Sequence, residues 1–95
     1  MNELTLKDLQ KYIKNKDYKP DMKHAYFQKL IEEVGELAES LRKDKRMEQG
    51  VIKGTIEEEL YDVLYYILAI ANVHEIDLQE CFHLKEELNM KKYQQ

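Results

Sequence analysis

Four acidic residues stand at spacings that pair them on helices: Glu33 with Glu36, and Glu59 with Asp62. Residues three apart lie on one helix face, so each pair can present two carboxylates to the same neighbour. Asp62 is the sharper anomaly. It is the only charged residue in the otherwise nearly all-apolar run from Leu60 to Val73. A carboxylate buried there costs several kcal/mol unless it is paired, hydrogen-bonded or bound to a metal. Glu59 adds a like charge on the same face, which raises one pKa of the pair or calls for a cation. On this helix alone, a capping role or a buried Lys or Arg partner would satisfy Asp62 equally well.

The second pair sits beside a long apolar stripe formed by Phe27, Leu30, Ile31, Val34, Leu37, Ala38 and Leu41. At about 100° per residue, Glu33 and Glu36 fall together on one flank of that stripe, with Lys29 and Ser40 near them. Glu32 and Glu39 fall on the far side. If the two acid-bearing helices pack antiparallel, the pairs meet across the interface. Four carboxylates without His or Cys make a hard-oxygen set, suited to Mg²⁺, with Mn²⁺ able to substitute, and unsuited to zinc. The absence of a Glu-x-x-His repeat also argues against a ferritin-like di-iron centre. Mg²⁺ keeps several waters and commonly bridges to substrate phosphates. Lys85, Lys92 and Lys29 could then meet those phosphates as point charges.

These residues need helices to position them, and the chain is rich in helix signals. Thr5 with Asp8 opens a first helix over about Leu6 to Lys14, which the Pro20 segment ends. A second helix runs from after Asp21 to about Asp44. Arg42, Lys43, Lys45 and Arg46 crowd its C-terminal end; they complement the helix dipole or form a basic collar for an anion. Residues 47–54 read as a loop with glycines at Gly50 and Gly54. Thr55 and Glu58 read as the capping box of a third helix, ending near His74. Being apolar on nearly every side, that helix is expected to be buried all round. Asp77 with Glu80 opens a fourth. Its stripe of Leu78, Cys81, Phe82, Lys85, Leu88, Asn89 and Lys92 begins apolar and turns polar. Lys85 and Asn89 are therefore expected to point inward, into a wet anionic pocket.

The chain as a whole sets limits on this reading. Ninety-five residues with three Gly and one Pro favour one domain, residues 1–95, of all-α class. A net charge of −4 argues against nucleic-acid polymers as partners. The acidic start of the third helix and Asp62 leave its apolar run too short for a membrane span. Cys81 is alone, and the N-terminus lacks a signal-peptide core, so a cytoplasmic location is expected.

KLIEEVGELAES (Lys29 to Ser40), followed by EELYDVLYYILAIA (Glu58 to Ala71), resembles the MazG-type nucleoside triphosphate pyrophosphohydrolases. The family signature is E-E-x-x-E, a gap, then E-x-x-D; here it reads Glu32-Glu33-Val34-Gly35-Glu36, then Glu59-Leu60-Tyr61-Asp62. The tail IDLQECFHLKEELNMKKY resembles the family's last helix, with its K-x-x-x-N and a following basic and aromatic residue. The likeness spans Tyr26 to Tyr93. It implies a four-helix bundle that completes its core by forming a homodimer or homotetramer. It also implies Mg²⁺-dependent cleavage of an NTP or dNTP to the monophosphate and pyrophosphate, a nucleotide-pool house-cleaning reaction. By resemblance Glu33, Glu36, Glu59 and Asp62 are the metal ligands, with Glu33 or Glu36 positioning the attacking water. Lys85 and Asn89 match substrate-contacting positions, and Lys92 stands where the family often carries Arg. Two other readings are phosphoribosyl-ATP pyrophosphohydrolase and a non-enzymatic helical module whose acids are only solvated surface.

Overall fold

The computed structural model describes residues 3–93. The 1–95 domain expected from the sequence includes Met1, Asn2, Gln94 and Gln95, which lie outside the described residues. Four α-helices follow one another: α1 Leu6–Lys16, α2 Lys23–Lys43, α3 Ile56–Val73 and α4 Leu78–Tyr93, with a 3-10 turn at Pro20–Met22 before α2. Among the described residues there is no strand, only an isolated bridge between Glu48 and Val51. The architecture is the all-α one expected. No helix is long and apolar enough to cross a membrane.

The helix boundaries follow from local chemistry. Thr5 Oγ1 accepts from Asp8 N at 3.0 Å, and Asp8 Oδ2 accepts from Thr5 N at 3.2 Å, closing the expected capping box of α1. At α3 the box is displaced by one residue. Thr55 Oγ1 accepts from Glu58 N, but the Glu58 carboxylate accepts from Gly54 N at 2.7 Å. The Thr55 N–H is already donated to the Ile52 carbonyl. Asp77 caps α4 by accepting from Glu80 N at 3.2 Å.

α2 and α3 run antiparallel and form the main packed pair. Ile56 N, at the start of α3, donates to Lys45 O, just past the end of α2. At the other end, Tyr26 of α2 and Tyr65 of α3 share one acceptor, Asp17. α1 lies across α3 and closes a core of Ile13, Tyr26, Leu68, Ala69 and Val73. A buried amide clasp fixes this crossing. Gln10 Nε2 donates to Asn72 Oδ1 and to Ile76 O, Asn72 Nδ2 donates to Gln10 O, and Gln10 Oε1 accepts from Leu78 N. Every polar atom of both amides but one Asn72 hydrogen finds a use, which is how buried amides are tolerated.

Three sequence expectations change in the folded chain. α2 turns Tyr26, Leu30, Glu33, Leu37 and Ser40 inward. That face lies about a quarter turn from the centre of the apolar stripe, so Phe27, Ile31, Val34 and Leu41 are left exposed. α3 is not covered all round: Leu60, Tyr61 and Ile67 are 53%, 41% and 40% exposed. α4 packs on α1 through its first turn, and beyond it Phe82, Leu84, Leu88 and Met90 are exposed. The inward turn expected for Lys85 does not occur within one chain, where Lys85 is exposed.

Candidate metal centre

The quarter-turn rotation of α2 is what brings an acid into its interface. Glu33 occupies the inward face between Leu30 and Leu37, and the antiparallel register sets it opposite Glu59 and Asp62 of α3. One carboxylate oxygen from each of Glu33, Glu59 and Asp62 lies within 4.8 Å of the others. Glu59 is buried, and the other two are half-buried. Glu33 Oε2 and Glu59 Oε2 are buried and have no hydrogen-bond partner. Leaving such an atom unpaired costs about 1–3 kcal/mol, more when it is charged.

The electrostatics follow from this crowding. Burial, then the negative charges of Glu36 and Asp62, push the Glu33 carboxyl up to about 7. Burial is also the leading cause that raises Glu59, reinforced by Glu36 and Asp62. Asp62 is raised by burial, then by Glu58 and Glu36. Among the described residues none of these three carboxylates forms an ion pair with Lys or Arg. The buried basic partner that would have satisfied Asp62 structurally is therefore missing among the described residues.

Glu36 does not join the group of three. It is exposed at the mouth, where its charge still reaches all of them. It lines a hollow of about 290 Å³ together with Ser40, Lys43, Lys45, Gly54 and Glu59. A second hollow, of about 210 Å³, is lined by Asp17, Lys19, Met22, Tyr26, Lys29 and Tyr66. Of the expected substrate contacts, Lys29 lines this second hollow, 3.9 Å from Glu32. Lys85 and Lys92 are exposed on α4, and Asn89 donates to Glu86 at 3.1 Å. One chain does not bring them to the acids.

Sequence reasoning missed Asp17. Its carboxylate accepts from the hydroxyls of Tyr26 and Tyr65, both at 2.8 Å, while Tyr26 Oη accepts from Lys19 N. Nothing in the spacing of the sequence pointed from Tyr26 or Tyr65 to Asp17.

The donor set fits a hard divalent cation. All the donors it could offer are carboxylate oxygens: three converge, a fourth stands at the rim, and two buried oxygens have no hydrogen-bond partner. Antiparallel helices that converge carboxylates on a shared interface define an all-α protein with an acid-lined site between α2 and α3. The comparisons then supply its family. The sequence model of the MazG nucleotide pyrophosphohydrolase domain matches residues 22–95. Crystal structures of iMazG from Vibrio DAT 722 are similar over most of the chain. The N-terminally tagged form is 50% identical with a TM-score of 0.90, covering 97% of this chain and 100% of that one. The C-terminally tagged form is 50% identical with a TM-score of 0.87, covering 92% and 99%. No curated protein matches. The chain belongs to the MazG nucleotide pyrophosphohydrolase domain family, and this membership supports nucleotide pyrophosphohydrolase activity.

Proposed function

We propose that this protein hydrolyses nucleoside or deoxynucleoside triphosphates to the monophosphate and pyrophosphate, with Mg²⁺ held by Glu33, Glu36, Glu59 and Asp62. The observation that carries the reading is the pair of buried, unpartnered oxygens on Glu33 and Glu59 beside Asp62. A chain that buries carboxylates without partners loses stability unless a cation compensates them. Bound there, Mg²⁺ would supply charge neutralisation of the triphosphate and a water of lowered pKa; Mn²⁺ would serve similarly.

The protein's own residues do the positioning. Glu33, Glu59 and Asp62 fix the acid centre from two packed helices. Glu33 or Glu36 positions the attacking water and receives its proton as water adds across the α,β anhydride bond. Lys29 borders the site within one chain. Lys85, Asn89 and Lys92 on α4 contact substrate in an assembly of chains, a homodimer or homotetramer in the cytoplasm that covers the stripes left open on α2 and α3. The physiological role in this reading is removal of damaged or surplus nucleotides.

The test is pyrophosphate release from a panel of ordinary and deoxy triphosphates, with Mg²⁺ and with EDTA. Release that requires the metal is expected. Metal-independent release, or none from a folded protein, overturns the reading. Sedimentation of the intact chain checks the assembly: a lone monomer at micromolar concentration removes that part of the proposal.

A further inference from the structure

Three glutamates in a row, Glu57, Glu58 and Glu59, stand in the first turn of α3, and only one of them belongs to the acid centre. Glu59 is buried. At 100° per residue Glu57 lies about 200° away from it around the helix, on the side that meets the connector of residues 44–55. There both oxygens of Glu57 are taken. Arg46 Nε and Nη2 each lie 2.9 Å from Glu57 Oε2, and Met47 N donates to Oε1 at 2.9 Å. Glu58 accepts from Gly54 N at 2.7 Å. Two of the three glutamates thus fasten the connector, and the third is left for the acid centre.

The same connector is fastened to α2. Asp44 ends that helix in the left-handed region, at φ 50°. That reversal lets Lys45 N donate back to Ser40 O at 3.1 Å, while Lys45 O accepts from Ile56 N at 2.8 Å. A turn through Gln49 and Gly50 is closed by Val51 N donating to Glu48 O, and Thr55 gives both its N–H and its hydroxyl to Ile52 O. The path from Ser40 to Glu57 is therefore a run of hydrogen bonds rather than a slack loop. The backbone bonds at Lys45 set how closely α2 and α3 approach at this end. Lying near the helix axis, they have little leverage on the rotation of α3 about that axis. The clasp of Arg46 and Met47 on Glu57 grips the outside of the first turn and does have that leverage.

We propose that Arg46 and Glu57 are positioning residues, whose clasp holds the rotation of α3 that converges Glu59 and Asp62 on Glu33 and so sets the affinity of the acid centre for a divalent cation. This rests on the metal reading above. The three converging carboxylates repel one another, and a small turn of α3 would spread them apart. The clasp opposes that turn. Its contribution to stability is small, because the Arg46 and Glu57 side chains are 65% and 25% exposed and exposed ion pairs stabilise little. What it supplies is geometry, as other groups that orient metal ligands do.

The test titrates Mg²⁺ alone into the intact protein, following heat, and records the melting temperature of the metal-free protein beside it. Arg46→Ala is expected to weaken Mg²⁺ binding about tenfold, the lower end of what losing a ligand-orienting group costs, with the metal-free melting temperature close to wild type. The sign separates this from a charge effect, since removing a cation near a cation site would by charge alone strengthen Mg²⁺ binding. Glu57→Gln is expected to weaken it similarly. The double variant should bind no worse than the weaker single one, because both changes break one contact. Lys91→Ala, which breaks an exposed pair with Glu87 on α4, leaves the affinity unchanged. A wild-type protein that binds Mg²⁺ while Arg46→Ala binds it equally well or better overturns the clasp alone, as do losses that multiply in the double variant. A wild-type protein that binds no Mg²⁺ overturns the metal reading, and the clasp with it.

Discussion

Asp17 and Glu33 are both carboxylates at the edge of the same small core, and the chain treats them in opposite ways. Burial acts to raise Asp17, but the hydroxyls of Tyr26 and Tyr65, with Lys19 and Lys16 nearby, bring it below its ordinary value. Glu33 receives no such donors. Burial and its acidic neighbours carry it up to about 7, and one of its buried oxygens has no partner. The protein can evidently satisfy a buried acid where it supplies tyrosines. Two turns along α2 from Tyr26, the acid centre has no such donors, and its crowded carboxylates could hold a metal ion. Asp17 pins α1, α2 and α3 together; Glu33, Glu59 and Asp62 crowd like charges where a metal ion could be held.

The largest expected effect separates the two directly. Asp62→Asn keeps the size of the side chain and removes a ligand charge, so turnover should fall by on the order of 10³-fold, while far-ultraviolet circular dichroism stays that of the wild type. Metal-free stability should hold or rise, because a like charge has left a crowded group. Near-normal turnover in this variant would break the contrast by showing that the acids are not a working set.

A smaller effect reads the same contrast through pH. A group whose pKa is raised on folding contributes its stability below the unfolded value and loses it as pH rises through the folded value. The metal-free protein should therefore lose melting temperature between about pH 5 and pH 7.5, the window set by Glu33 at about 7. Mg²⁺ binds the deprotonated carboxylate, so its stabilising shift should grow over the same interval, reaching about 2.7 kcal/mol at a hundredfold excess over Kd. Glu33→Gln should flatten the metal-free pH dependence and abolish most of the Mg²⁺ shift. A melting temperature that Mg²⁺ leaves unchanged at pH 8 would mean that the acids compensate one another without a metal.

Much of the framework was readable because helix ends and acid spacings are local. Thr5 with Asp8, Thr55 with Glu58 and Asp77 with Glu80 mark starts within one residue of where the helices begin. The i, i+3 pairs placed Glu33 and Glu59–Asp62 where two helices could converge them. The facing of α2 was not readable. Periodicity says that Phe27, Ile31, Val34 and Leu41 want cover, but not that α3 would instead cover the adjoining face through Tyr26, Leu30, Glu33, Leu37 and Ser40. What the polar half of the α4 stripe faces was not readable either: within one chain Lys85 is exposed and Asn89 bonds to Glu86 of its own helix. Asp17 was hidden by distance: Tyr65 lies 48 residues away, beyond any local pattern.

The smallest expected effect tests the satisfied carboxylate. Tyr65→Phe leaves its ring against Tyr66 and Lys16 but removes one of the two hydroxyls that donate to Asp17. A hydrogen bond to a charged acceptor contributes about 1.5–3 kcal/mol, and the half-exposed site and remaining Tyr26 bond place the expected loss near the lower end. The sign of its pH dependence is opposite to that at Glu33. Asp17 has a depressed pKa in the folded chain, so its contribution is present above the unfolded value and lost as pH falls through the folded one. The gap between Tyr65→Phe and wild type should accordingly be full at neutral pH and close in acid, as Asp17 becomes protonated in both. The Mg²⁺ shift should be nearly untouched. A Tyr65→Phe protein that lost the Mg²⁺ shift along with stability would mean that the tyrosine network and the acid centre are one coupled unit, and the division drawn between Asp17 and Glu33 would fail.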